Sequence, residues 1–400
     1  MERRVLDALD ERLLISLTQE MVRRPSYTGS HGEGDLARYL AERVRGLGMR
    51  AVLEEVDEGR CNLVIREKGS GGGRSLLFDG HLDTNPQVLG WTRDPFGGAL
   101  EDGCIYGVGV CNMKAADAAY LAALDAVRRI GVQLRGDVIV ALVVGEQQGG
   151  LGTLALLERG WRADCFVDGE PVDNALLTLH AGVLPFRINV FGRMRHVSKQ
   201  AEGINAIEQT YKVMDGLKRL RFSGPDEPDY VGLRRVNVAA IRGGLGKEYL
   251  DWRPGLVPDY CTILVDVRYG PGQSEASVLQ DVRAMLDGLH RTDPDLRAEI
   301  EPYGGKRRRM PAFEVARDEP IVRIVAEAHR RVTGREPSIG PIEPYKFYGT
   351  DAAHLAEAGL PGVVYGPGGK YSTAPDERID IEDLLTAARV YALTILEVCG

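Results

Sequence analysis

Short apolar runs alternate with helical patterns from residue 49 to about 181, the rhythm breaks off, and it resumes after residue 304. The first fifty residues read as two helices, with apolar positions at helical spacing through 13–17 and 36–47. Strands are expected at 49–54, 62–66 and 75–79, then a helix at about 112–130, an apolar run at 137–144, and another helix after the Gly-rich GEQQGGLGT. Strands alternating with helices at this pitch predict an α/β core whose mostly parallel sheet is covered on both faces. From residue 182 the runs LPFRINVFG, VNVAAIRGG and CTILVDVRY alternate strictly, with helices at 205–220 and 274–289. That is the pattern of half-buried strands in an α+β layer. The α/β texture returns with helices at 320–332, 351–357 and 381–398 and a strand at 362–365. The economical reading is a core made of 1–181 and 305–400, interrupted by a smaller α+β domain at 182–304.

Charge and composition remove several function classes. Fifty basic against fifty-eight acidic residues give −8, and 306–309 is the one basic block. Nucleic acid is therefore not an expected partner, since that footprint needs clustered positive charge. No apolar run reaches the ~18 residues of a membrane helix. The charged, amphipathic N-terminus does not read as a signal peptide. Six cysteines, at 61, 104, 111, 165, 261 and 399, form no CxxC pair, which points to a reducing cytoplasm.

Ligands in such folds bind at the carboxyl ends of parallel strands. There the chain places His81 and Asp83, spaced as a metal-binding imidazole and the acid that orients it. Glu146 stands at the next strand end, in a loop whose glycines let backbone approach a ligand. Asp168 and Glu170 follow a third. Singly each is weak, because a strand-end acid commonly caps a helix or bonds its own loop. Three such loops on one sheet argue for a site.

The ordered motifs GHLDT at 80–84, YGVGVCNMKAA at 106–116, GEQQGGLGT at 145–153, DGEP at 168–171, GRMRHVSKQAEGINAI at 192–207 and GTDAAHLAEAGLPGVVYGPG at 349–368 resemble the dinuclear zinc aminoacylase and carboxypeptidase family. VPDYCTILVDVRYGPGQS at 257–274 and APDERIDIEDL at 374–384 extend the likeness nearly end to end. The resemblance implies that the inserted domain is the family's lid, through which a homodimer forms. It implies a mechanism in which metal ions polarise the scissile carbonyl and acidify water, a Glu shuttles the proton, and a lid His from the partner subunit stabilises the oxyanion. Carried over, His81 matches a metal ligand, Asp83 the acid orienting it, Glu146 the general base, Glu170 a carboxylate ligand and His196 the lid histidine. Arg268 falls where family members place a substrate-carboxylate contact.

Three departures are organised. Asn112 stands where the family has its bridging Asp, Gln147 where it has a Glu ligand, and Thr373 where it has the last His ligand. Neutral amides replace anionic ligands poorly around a hard or borderline dication. A dinuclear centre is therefore not expected; the expectation is no metal, or one divalent ion (zinc or similar) on His81 and Glu170. Asn112 and Gln147 then become candidate substrate contacts. Lys199, Lys346 and Lys370 read either as solvated surface lysines or as charge supplied where a metal was lost. Cys111 reads as a packing residue on strand alternation, His180 as structural or a hinge, Asp168 as a support behind the site, and 306–309 as a solvated hinge edge.

Three functions stay open at this point. The first is an amidase or deacylase acting on a small N-acyl amino acid or peptide-like amide. The second is a metal-independent enzyme of amide formation, cyclisation or acyl transfer. The third is a non-catalytic protein that binds a small acid.

Overall fold

The strands Leu76–His81 and Val138–Val143 are buried along their whole length. Their side chains divide by the two-residue period of a strand. Leu76, Phe78, Val138, Val140 and Leu142 join one core, with the helices Ala115–Arg129, Pro320–Thr333 and Ile381–Cys399. Leu77, Ile139, Ala141 and Val143 join another on the opposite face, with Leu156, Ala352 and Leu355. A sheet covered on both faces needs such continuous apolar strands.

The computed structural model describes residues 1–303 and 309–400. It divides into Met1–His180 with Phe313–Gly400, and Ala181–Ala312. The first unit holds an eight-stranded sheet in the order Ala51–Asp57, Arg60–Glu67, Val138–Val143, Leu76–His81, Cys165–Asp168, Gly362–Val364, Leu176–Leu177, Ile339–Gly340. The four strands from Val138–Val143 to Gly362–Val364 are mutually parallel. Their register sets His81 opposite Val143 and Asp79 opposite Asp168, so the loops after three of them open on one edge. Phe78 and Tyr391 each pack against Tyr120, with ring centroids 4.7 Å apart in both pairs, which locks two helices onto the central strand.

Local chemistry changes two expectations. The N-terminal region makes three helices, Glu2–Ala8, Glu11–Val22 and His31–Gly46, because Asp10 caps the second by accepting the N–H groups of Arg12 and Leu13. The helix expected from 112 begins at Ala115, after a π turn over Val110–Lys114. Cys111 lies on that turn and not on a strand. It is fully buried, so it packs as expected, but strand alternation is not the reason.

The second unit is a four-stranded antiparallel sheet, in the order Arg235–Gly244, Tyr260–Tyr269, Gly182–Phe191, Arg297–Pro302. Helices Ala206–Arg219 and Glu275–Thr292 bury Val213, Leu217, Val278, Val282 and Leu286 against Ile188, Val190, Ile263 and Val265. The unit runs to Ala312, beyond the expected 304, because Met310 bridges Val183 on its first strand. Of the basic run, 306–308 lie outside the described residues, and Arg309 pairs with Glu275 at 3.3 Å. Among the described residues no helix is long and apolar enough to cross a membrane.

Candidate active site

His81 ends its strand with both ring nitrogens engaged. Nδ1–H donates to the main-chain carbonyl of Asp83 at 2.8 Å, and Nε2 lies 2.6 Å from Asn112 Oδ1 and 3.4 Å from Glu170 Oε1. Burial alone would lower its pKa, but the Asp83 and Glu170 carboxylates carry it well above the usual histidine range. The Asp83 carboxylate accepts the N–H groups of Glu146 at 3.0 Å and Gln147 at 3.1 Å, and the Thr28 hydroxyl at 2.9 Å. Burial works against its charge, yet His81 and these donors hold it below the ordinary carboxylate range.

Glu146 opens a short 3₁₀ turn, Glu146–Gln148. The turn is bounded by Gly145 and Gly149 at φ 71° and 87°, a conformation that favours glycine. The Gly145 N–H donates to Glu33 Oε1 at 2.9 Å, and Arg60 holds Glu33 through two bonds of 2.5 and 2.9 Å. This bidentate pair is buried. Burial raises the Glu146 pKa well above its usual value, with Glu170 adding to it.

Glu170 follows the strand Cys165–Asp168 and is buried. Ligand atoms of His81, Glu146 and Glu170 all lie within 4.8 Å of one another. Asn112 is presented by the π turn, which Glu377 fastens from below. The Glu377 carboxylate accepts the N–H groups of Cys111 at 2.9 Å, Gly109 at 3.2 Å and Asn112 at 3.3 Å. Behind the site, Asp168 Oδ2 accepts the Ala352 N–H at 3.1 Å, and His180 Nε2 meets the Thr350 hydroxyl at 3.1 Å.

The fold thus gathers His81, Asp83, Asn112, Glu146, Gln147 and Glu170 at one sheet edge. His196 and Arg268 belong to the second unit. There His196 is exposed, with Nδ1 3.0 Å from the Ser198 hydroxyl, and Arg268 pairs with Asp266 at 2.9 Å. Lys346 is not the solvated lysine considered above. It is buried on the turn Tyr345–Phe347, with Nζ 2.8 Å from Glu343. Lys370 is exposed, its ammonium 5.1 Å from the centre of the Tyr371 ring, and Lys199 is exposed in the second unit.

Sequence reasoning missed Thr28, Glu33, Arg60 and Glu377. Glu377 stands in the APDE segment and could have been singled out there. Glu33 sits in the first turn of a helix, where an acid normally reads as solvated.

Residues 77–397 match the model of peptidase family M20/M25/M40. The chain is 28% identical to the N-formyl-4-amino-5-aminomethyl-2-methylpyrimidine deformylase of Halalkalibacterium halodurans, over 96% of this chain and 94% of that one. It is 29% identical to the acetylornithine deacetylase of Myxococcus xanthus, over 91% and 92%. The solved structure of a Staphylococcus aureus tripeptidase shares the fold, with a TM-score of 0.76 at 20% identity over 97% and 98% of the two chains. The chain belongs to peptidase family M20/M25/M40 and is an amide-bond hydrolase of that family.

Proposed function

We propose that this chain hydrolyses the amide bond of a small N-formyl or N-acyl compound, with Glu146 accepting the proton of the attacking water. The meeting of His81, Glu146 and Glu170 at one buried edge carries the reading. An imidazole and carboxylates are the donor types that a single zinc-like ion takes. In this reading His81 and Glu170 hold one divalent ion, and Glu146 stands beside it. When bound, the ion supplies polarisation of the scissile carbonyl and acidifies water. For a second ion the chain offers Asn112, Gln147 and Thr373, whose neutral oxygens are weak donors, so the set fits one ion and not two.

The chain's own groups then divide the work. Glu146 takes a proton as the water oxygen bonds to the carbonyl carbon, and returns it to nitrogen as the C–N bond breaks, leaving an acid and an amine. Asp83 fixes the backbone of Glu146 and the orientation of His81. His196, from the lid of the second subunit in a homodimer, donates to the oxyanion. In this reading the exposed Lys370, in the first unit, is a cation for a substrate carboxylate. The relatives' named activities, a deformylase and a deacetylase, support removal of a small acyl group from an amine.

A second reading is metal-independent amide formation in the same pocket, and it draws on the neutrality of Asn112, Gln147 and Thr373. Amine release from N-formyl, N-acetyl and N-succinyl compounds, with and without added zinc, separates the two. Release in any of these conditions is expected. No release, with condensation of the corresponding acid and amine instead, would overturn hydrolysis.

A further inference from the structure

Tyr348 follows the turn Tyr345–Phe347 in the first unit, and its neighbours in sequence bind it to the loop that carries Glu170. Tyr345, whose ring centroid lies 5.6 Å from that of Tyr348, donates its hydroxyl to Asp173. On the other side, the Ala352 N–H donates to Asp168 Oδ2 at 3.1 Å. The segment is thus fastened at both ends of 168–173, with Glu170 between the two anchor points.

The Tyr348 ring is half-buried and packs against the core cluster of Phe166, Tyr345 and Val364. Its hydroxyl makes no hydrogen bond among the described residues, yet is not sealed from solvent. Tyrosines on ordered, largely buried rings normally spend this group on a partner, as Tyr120, Tyr345 and Tyr391 do here. Burial raises the Tyr348 pKa, and Glu170, Cys111, Asp173 and Glu377 add to it, so the phenol stays a protonated donor through neutral pH. Glu170 meets His81 Nε2 from one side, and Cys111 and Glu377 belong to the turn that brings Asn112 to it from the other. Because Coulomb effects fall with distance, a hydroxyl that feels both borders the place where Asn112 and Glu170 converge on His81.

We propose that Tyr348 is a further catalytic residue, its hydroxyl donating a hydrogen bond to the scissile carbonyl oxygen as that oxygen takes up negative charge. The phenol keeps its proton throughout, and the proton of the attacking water still travels by Glu146. This role rests on the hydrolysis reading and adds a donor that the first unit itself supplies.

Tyr348→Phe removes the donor and keeps the ring. Its kcat for an N-formyl or N-acetyl compound should fall ~10²-fold with KM little changed. The kcat–pH profile should keep its shape, since the phenol is never the titrating group, and the melting temperature should hold, since no protein partner is lost. Methylphosphonate, a tetrahedral anion, reads the donor without turnover. In protein labelled with ¹³C at tyrosine Cζ, it should shift the resonance that Tyr348→Phe removes, and it should bind the variant about tenfold more weakly. An unchanged kcat, a loss confined to KM, or a displaced alkaline limb of the profile would overturn the proposal. If methylphosphonate shifts the resonance while the unaltered protein cleaves no N-acyl compound, the donor stands and the hydrolysis reading falls. If the unaltered protein and Tyr348→Phe cleave such compounds equally, Tyr348 falls alone.

Discussion

The Asp83 carboxylate accepts the backbone N–H of Glu146 at 3.0 Å. One buried acid therefore ties the strand end carrying His81 to the loop carrying the proposed base. Asp83→Asn keeps the shape but leaves one acceptor oxygen where two served three donors. A displacement of about 1 Å at a reacting group can cost ~10²-fold, so kcat should fall by that order with little change in KM. Steady-state kinetics beside a thermal melt will check this. An unchanged kcat in a folded variant would remove Asp83 from the positioning role.

Glu33 and Arg60 extend the same logic one layer out. Their bidentate pair is buried and holds Gly145, the residue before Glu146. Without Glu33 the buried guanidinium keeps, among the described residues, only the half-exposed Asp57, 3.1 Å from Nη1, so Glu33→Gln should destabilise the protein by about 3 kcal/mol. The double variant Glu33→Leu with Arg60→Met should cost less than either single change, because no charge is left uncompensated. Urea unfolding of the three variants measures the difference, and strict additivity would contradict it.

Much of the site could be read before the fold was known, for a physical reason. His81, Glu146 and Glu170 each follow a continuous apolar run, and such runs pair in parallel at the centre of a covered sheet. The strand-end rule then collects their loops on one edge. The inserted unit was legible because its strands alternate where the core strands do not. Groups that act through partners distant in sequence were hidden. Glu33 meets Arg60 from another element, and nothing in either local pattern distinguishes them from surface charge. Lys346 was hidden the same way, since its burial follows from the turn that carries it and not from its neighbours in sequence. Asn112 was placed at a helix start because periodicity sees the helix that follows and not the π turn, whose N–H groups Glu377 collects from far along the chain.

Glu146→Gln should abolish turnover and leave ligand binding nearly intact. The amide fills the same space but cannot take a proton from water, and a general base contributes roughly 10²–10⁴-fold. Turnover and equilibrium binding of a product amine, measured on one preparation, separate the two effects. Near-wild-type turnover would make Glu146 a loop residue and favour a binding protein.

Elemental analysis of protein purified without added metal should find no more than one tightly held divalent ion per chain. His81→Ala should reduce even that, since it removes the only imidazole of the donor cluster. Restoring charge should act the other way. Asn112→Asp with Gln147→Glu and Thr373→His returns two anionic ligands and an imidazole, and should raise occupancy towards two ions. Two ions per chain in the unaltered protein would overturn the single-ion assignment.

His196 should act on the pocket of the other subunit in a homodimer. It sits in the inserted unit, exposed, on a short turn where its ring bonds the Ser198 hydroxyl and backbone. The exposed ring packs against no core but caps its turn by accepting the Ser198 N–H, so His196→Ala should lower stability by no more than about 1 kcal/mol. A hydrogen bond to a developing oxyanion is worth on the order of 3 kcal/mol, and turnover should drop ~10²-fold or more. Mixing inactive Glu146→Gln subunits with inactive His196→Ala subunits should then restore part of the activity. In such a heterodimer one pocket draws its base from the second variant and its histidine from the first. Activity that stays absent after mass spectrometry has verified subunit exchange would assign His196 to its own subunit, or remove it from the reaction.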